Sequence, residues 1–297
     1  VLALLVGACS TGGGSKPTVK IGSVKFDEAK VMAEIYAQAL EAKGYTVNRD
    51  GIGLGDRAVL APAIENGQID LQPEYIGSRL SYEGGSPTAN SAQNRTELQA
   101  LLEAKNLSVF AFTPAQDVNA FVVRADTATQ FNLTRISDTA AVQDQLNWGL
   151  ALDCPTNALC GAPGGALAQY GITAETIAAA TLLSACDTPM ADALKAGTID
   201  LGELCSTQAD ILANNWVVLE DDLHSQPAEN IAPIVRDALL EQLDNAGLYD
   251  EFQKALNDVS VKIDIPTLME LNRQIAFDHK DPADVARTWL TANGFVQ

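Results

Sequence analysis

The sequence predicts an α/β protein built on mostly parallel sheets, and three observations point there. Strand-like and helical segments alternate from residue 19 to residue 219. A helix–Gly–strand joint occurs twice in nearly the same residues. The chain then closes in a run of amphipathic helices. The alternation weighs most, because parallel neighbours need a long crossover and a helix usually supplies it.

In order, residues 19–23 form a short strand. Residues 27–43 place Val31, Ile35, Ala39 and Leu40 at helical spacing, and Gly44 ends that helix. Residues 45–48 read as strand, 57–66 as a helix closed by Gly67, and 69–71 as the start of a strand. Gly51-Ile-Gly-Leu-Gly55 lacks the spacing of a dinucleotide fingerprint and reads as a turn. Strands follow at 119–124, 148–153, 181–186, 200–205 and 216–219, with a loop over 154–165. Residues 231–243, 248–256, 266–277 and 282–292 carry helical periodicity. The last of these has Asp281 at the N-cap, Pro282 in the first turn and Gly294 beyond its end.

The repeated joint is Ala63-Ile-Glu-Asn-Gly-Gln-Ile-Asp-Leu71 against Ala193-Leu-Lys-Ala-Gly-Thr-Ile-Asp-Leu201. Two similarly built lobes would produce it; so would convergence, since such joints are common. In open parallel sheets ligands sit beyond the carboxyl ends of strands. The residues after each Ile-Asp-Leu run, 72–78 and 202–207, are therefore candidate cleft residues, Ser78, Ser206 and Thr207 among them.

Four cysteines follow in the middle of the chain: Cys154, Cys160, Cys186 and Cys205. An even count in an exported chain favours disulfides over zinc, whose paired C-x2-C spacing and nearby histidines are missing. Of the three connectivities, Cys154–Cys160 and Cys186–Cys205 is preferred. Cys186 and Cys205 would end two strands joined by one helix. If those strands are neighbours, their ends lie about 5 Å apart, within disulfide range.

The N-terminus speaks to location. Val1-Leu-Ala-Leu-Leu-Val-Gly-Ala8 is apolar but shorter than the roughly 20 residues of a spanning helix. It reads as the end of a signal peptide. With Cys9 and the following Ser10-Thr-Gly-Gly-Gly-Ser15 it resembles a bacterial lipobox and a flexible tether, with Cys9 the lipidation site. This places the chain extracytoplasmically, lipid-anchored to the outer face of the cell membrane or periplasmic. The 19 basic and 38 acidic residues give a net charge of −19. That argues against a nucleic-acid partner, which needs positive charge to displace counterions, and it suits a cationic or zwitterionic ligand or plain solubility.

Across residues 20–295 the chain resembles the glycine betaine/choline/proline type of ABC-transporter substrate-binding protein. The stretches that carry this are Lys20-Ile-Gly-Ser-Val-Lys-Phe-Asp-Glu28, Ala33-Glu-Ile-Tyr-Ala-Gln-Ala-Leu-Glu41, Ile69-Asp-Leu-Gln-Pro-Glu-Tyr-Ile-Gly-Ser78, Trp216-Val-Val-Leu-Glu-Asp-Asp222, Glu229-Asn-Ile-Ala-Pro-Ile-Val-Arg236 and Asp281-Pro-Ala-Asp-Val-Ala-Arg287. Each alone is weakly specific; together, in the family's order, they are strongly so. The resemblance implies a type II periplasmic-binding-protein fold, two α/β lobes joined by a two-strand hinge. Residues 1–17 would be leader and tether, 18–118 and 226–297 lobe one, and 119–225 lobe two. The crossings would fall near 117–121 and 219–231. It also implies a monomer that closes on a quaternary ammonium solute, then docks on a permease driven by a separate ATPase, with no cofactor, metal or catalytic residue.

Such ligands are held by aromatic faces and nearby oxygens. The resemblance assigns this to Phe26 and Tyr75, with Asp117 and Asn119 at the first crossing and Ser23 and Lys25 beside the first strand. The chain departs from the family where a betaine carboxylate is bound. Val24, Ser78 and Asn157 stand where relatives carry Lys, Thr and Arg, and Glu229 replaces an aromatic at the second crossing. These exchanges favour a cation such as choline over betaine.

An enzyme is disfavoured. The two histidines, His224 and His279, lie in different contexts, and no G-x-S-x-G, H-E-x-x-H or P-loop occurs. The alternatives that stay open are a sensory binding lipoprotein on the same fold and another small cationic or polar solute.

Overall fold

Two five-stranded sheets organise the chain, in a computed structural model that describes residues 16–296. The strands are β1 (Thr18–Val24), β2 (Thr46–Gly55), β3 (Leu71–Tyr75), β4 (Leu107–Val109), β5 (Asn119–Val123), β6 (Trp148–Ala151), β7 (Thr181–Leu183), β8 (Leu201–Cys205), β9 (Val217–Val218) and β10 (Ile231–Arg236). The first sheet runs β2-β1-β3-β10-β4 and the second β7-β6-β8-β5-β9.

Both sheets follow one plan. A parallel trio, β2-β1-β3 or β7-β6-β8, is flanked by one antiparallel strand, β10 or β5, that pairs with the end of the trio. The antiparallel strand of the first sheet comes from far along the chain. The polypeptide therefore passes between the sheets twice, from β4 to β5 and from β9 to β10.

The repeated joint is one device used in both lobes. Gly67 and Gly197 adopt left-handed backbone, with φ of 76° and 72°, which only a residue without Cβ takes at no steric cost. Asp70 then accepts from the Lys20 amide at 3.1 Å and from the Arg236 guanidinium at 2.6 Å. Asp200 repeats this, accepting from the Asn147 amide at 2.9 Å and from Arg124 at 2.9 Å. In each lobe the arginine follows or ends the antiparallel strand, so the pair locks that strand to the entry of its neighbour.

Two elements differ from the sequence expectation. Residues 231–236 form β10, not the start of a helix; the helix is confined to Asp237–Asn245. The run Ile-Ala-Pro-Ile-Val is buried on both faces, and a short all-apolar run has no period that separates strand from helix. Residues 51–55 are not a turn but the second half of β2. A Cβ at Gly51 would lie 2.7 Å from Ile69 Cγ2, so glycine lets Ile69 lie flat against the strand.

The C-terminal helices Tyr249–Ser260, Ile265–Ala276 and Pro282–Ala292 return to the first lobe. They bury Leu256, Leu268 and Leu290 with Val31, Ile35 and Leu40 of the helix Asp27–Glu41. The last helix is capped as expected, Asp281 accepting from the Ala283 amide at 2.8 Å. Among the described residues no helix is long and apolar enough to cross a membrane. Cys9 and its flanks lie outside the described residues.

Both disulfides form with the preferred pairing, Cys154–Cys160 and Cys186–Cys205, at Cα separations of 5.0 and 4.7 Å. The expected adjacency of strands is not the reason, because β6 lies between β7 and β8. Cys186 reaches Cys205 from a turn beyond β7, where its own φ is 56°.

Candidate functional site

The two crossings touch each other. Gln116 and Asn230 form an antiparallel bridge, and the Asp117 amide donates to the Glu229 carbonyl at 3.1 Å. Ser206, just past β8, locks the junction. Its hydroxyl donates to the Gln116 carbonyl at 2.9 Å and accepts from the Val118 amide at 3.0 Å. Asp117 and Glu229 are thereby presented side by side where the lobes meet.

Around them the strand ends converge. Phe26 follows β1, starts the helix Asp27–Glu41 and is 47% exposed; its ring centroid lies 5.8 Å from that of buried Tyr75 at the end of β3. The Tyr75 hydroxyl donates to Glu28 Oε1 at 2.6 Å. The other oxygen of Glu28 accepts from Asn272 Nδ2 at 2.6 Å, and the same nitrogen donates to the Thr207 carbonyl at 3.1 Å. Thr207 Oγ1 donates to Asp117 Oδ1 at 2.8 Å. One chain of hydrogen bonds thus runs from the β3 aromatic, through the first and a C-terminal helix, into the end of β8 and the crossing.

Asp117 borders two cavities. One of about 620 Å³ is lined by Phe26, Glu28, Thr207, Asn272 and the Cys186–Cys205 bridge. The other, of about 200 Å³, is lined by Ser78, Asn119, Leu159 and Glu229. Glu229 accepts from the amide and hydroxyl of Ser78 at 2.9 and 2.8 Å. Arg57 is the near cation, and it is committed to Glu74 at 2.9 Å.

Burial dominates the electrostatics. It pushes the Asp117 carboxyl well above the usual range; the Glu28 charge adds to this and the Thr207 hydrogen bonds oppose it. Burial likewise raises Glu28 against hydrogen bonds from Tyr75, Asn272 and Thr207, and raises Glu229 against those from Ser78. The Tyr75 phenol is pushed well up by burial and by the Glu28 charge. Among the described residues no Lys or Arg lines either cavity. Asp117, which borders both cavities, feels the like charge of Glu28 and of Glu229.

The residues singled out from the sequence divide. Phe26, Asp117 and Thr207 line the larger cavity, with Tyr75 behind Phe26 and Glu28; Ser78, Asn119 and Glu229 line the smaller. Ser206 is buried in the hinge. Ser23 is fully buried between β1 and β2, accepting from the Gly53 amide at 3.0 Å. Val24 packs in the core, and Lys25 is exposed. Asn157 lies in the loop closed by Cys154–Cys160 and donates to Asp153, just before it, at 3.1 Å, and that loop reaches the smaller cavity through Leu159.

Sequence reasoning missed Glu28, Gln208 and Asn272. Asn272 had a signal: with Leu268, Met269, Leu271 and Ile275 it shares the apolar face of its helix, where a polar side chain needs a partner.

The comparisons with known proteins agree with this architecture. Residues 17–292 match the family model described as the substrate-binding domain of ABC-type glycine betaine transport systems. The glycine betaine-binding protein YehZ of Escherichia coli (strain K12) is 27% identical over 290 residues, covering 94% of this chain and 92% of its own. The carnitine transport binding protein OpuCC of Listeria monocytogenes is 24% identical over 304 residues, covering 99% and 94%. Among solved structures, one described as a glycine betaine/carnitine/choline ABC transporter superposes with a TM-score of 0.82 at 21% identity, covering 93% of this chain and 99% of that one. Apo YehZ superposes with a TM-score of 0.77 at 24% identity, covering 94% and 99%. The fold is the two-lobed periplasmic-binding fold.

Proposed function

We propose, from the premise that this chain belongs to the family of substrate-binding domains of ABC-type glycine betaine transport systems, that it captures a quaternary ammonium solute in the cleft between its lobes. Family membership makes its chemistry capture and release, not turnover. The observation that carries the ligand class is the meeting of Glu28, Asp117 and Glu229 beside the Phe26–Tyr75 pair, with Arg57 already spent on Glu74. Aromatic faces attract a quaternary ammonium through their quadrupole, and carboxylates that burial has left short of counter-charge attract it more strongly still.

In this reading 18–118 and 226–297 make lobe one and 119–225 lobe two, and Ser206 and the Gln116–Asn230 bridge mark the hinge. Ligand touching Phe26 and Asp117 of lobe one and Thr207 of lobe two stabilises the closed form, because those contacts coexist only when the lobes meet. The closed monomer then delivers its cargo to an ABC permease. Cys9 lipidation would hold the protein at the outer face of the membrane.

Titration calorimetry with choline, glycine betaine, carnitine and proline betaine tests the ligand class. Saturable one-to-one binding of at least one, weakened in Phe26→Ala, is expected. Absence of binding across the panel would remove the quaternary ammonium reading.

A further inference from the structure

We propose that Met269, which lines neither cavity, holds the angle between the lobes and through it scales the affinity for every solute the cleft takes. The inference rests on the cleft-capture reading above and adds to it a residue outside the cleft.

The helix Ile265–Ala276 carries two stripes. Leu268, Leu271 and Ile275, at helical spacing, are buried in the core of the first lobe with Val31, Ile35 and Leu256. Ile265, Met269, Asn272 and Ala276 form the next stripe round the helix, and each meets the second lobe or the junction. Ile265 borders a cavity of about 420 Å³ that both crossings line, through Gln116, Val118, Leu219 and Asp221. Met269 is 9% exposed and is buried with Leu204, Ile211 and Trp216 of lobe two. Asn272 donates to the Thr207 carbonyl at 3.1 Å. Ala276 lines the larger cavity with Cys205 and Thr207.

A helix on the surface of one lobe needs one apolar stripe. A second, sunk into the core of the other lobe, makes this helix a third connection beside the two crossings. The crossings are covalent and persist at any angle. The third connection is not: it exists only at angles that bring the helix against Ala209–Ala213 and Trp216. Burial of Met269 favours those angles in proportion to the apolar area it withdraws from water. They are the angles at which Phe26, Asp117 and Thr207 share one cavity. Apparent affinity is the intrinsic affinity scaled by the population of the competent arrangement. Met269 therefore contributes the same factor for any solute, whereas residues that touch solute contribute unequal ones.

Calorimetry with choline, glycine betaine and carnitine, beside small-angle scattering of the empty protein, separates these roles. Met269→Ala should weaken every solute that binds by one common factor of about tenfold, the scale of two methylene-sized groups losing their burial. The empty variant should scatter with a larger radius of gyration than native protein. Met269→Leu, of similar volume, should restore both. Ile211→Val trims the same contact from lobe two; it should weaken all solutes alike by about threefold, and it carries the test should Met269→Ala not fold. A merely structural Met269 would lower the melting temperature and leave affinity and scattering at native values. That result, or factors that differ among the solutes, would overturn the proposal and leave solute capture intact. If native protein binds none of the three, the quaternary ammonium reading falls, and the scattering comparison alone decides whether Met269 holds the lobe angle.

Discussion

Thr207 donates its hydroxyl to Asp117 across 2.8 Å, tying the end of β8 to the first crossing between the lobes. Asp117 is buried among like charges, and this bond is what favours its ionised form. Thr207→Val keeps the shape and removes the donor. The carboxyl pKa should climb further, and cation affinity at neutral pH should fall about tenfold, the scale of a bond to a charged group. Calorimetric affinity beside the apo melting temperature checks this: the affinity should move far more than the stability.

The two aromatic residues should separate by readout. Phe26 is 47% exposed, and its ring serves the cleft more than the core. Phe26→Ala should cost about 0.5–2 kcal/mol of quaternary ammonium affinity and little melting temperature. Tyr75→Phe keeps the ring but leaves Glu28 one donor short. It should lower both affinity and stability, by about 1–3 kcal/mol for a buried polar group left unpaired. Equal stability loss in both variants would contradict this division.

The raised carboxyls set a pH dependence with a definite sign. In the folded protein Glu28, Asp117 and Glu229 hold protons above the usual carboxylate range, where the unfolded chain has released them. The folded state then binds more protons, so stability of the empty protein falls as pH rises from that range through the raised values. Asp200 works oppositely. Burial raises it, but the Asn147 amide and Arg124 outweigh burial and hold it low, so its contribution is present above the usual range and lost as pH falls through its lowered value. Empty protein should therefore melt highest on the acid side of neutral. A bound cation favours the ionised carboxylates, so the melting increment given by choline should grow with pH. Asp117→Asn should flatten that growth; an increment independent of pH in the native protein would contradict the assignment.

The disulfides differ in what they restrain. Cys154–Cys160 spans 6 residues and Cys186–Cys205 spans 19. Loop-closure entropy assigns about 2 and about 3 kcal/mol respectively. Cys186 and Cys205 also line the larger cavity beside Asp187 and Thr207. Paired Cys→Ser replacement there should lower affinity as well as stability, whereas replacing Cys154 and Cys160 should act mainly on stability. Denaturant midpoints and calorimetry on both double variants distinguish the two.

What could be read in advance was local. Asp281, Pro282 and Gly294 announce the last helix because caps are set by neighbouring residues. The twin Gly-x-Ile-Asp-Leu joints stand out because one backbone geometry demands one residue pattern. The Cys186–Cys205 pairing was legible, although its expected geometry was wrong: a turn, not strand adjacency, brings the sulfurs together. β10 was not legible, since a buried hexapeptide has no polar face to show its period. Nor was the Glu28–Asn272 contact, which joins residues 244 apart in the chain. Phe26 and Tyr75 were singled out through family motifs; the polar groups that the fold gathers beside them, Glu28, Asn272 and Thr207, come from distant parts of the chain.

The twin joints offer a comparison inside one molecule. Asp70 is 3% exposed and bonds Arg236 at 2.6 Å, while Asp200 is 19% exposed and bonds Arg124 at 2.9 Å. The bonding plan is the same, with the Asp70 carboxylate buried, and Lys20 3.9 Å from it, where Asp200 is partly hydrated. Arg236 and Arg124 are almost equally open to water, at 24% and 21% exposed, so what differs is the acid, whose bonds to an amide and an arginine are buried at Asp70 and partly hydrated at Asp200. A partly hydrated pair is worth about 1 kcal/mol, and the same bonds are stronger where one partner is out of water. Asp70→Ala should therefore destabilise clearly more than Asp200→Ala in urea unfolding. Because each aspartate anchors the antiparallel strand of its own lobe, the double variant should show nearly additive losses. Strong coupling between the two would mean that the lobes do not carry their stabilities separately.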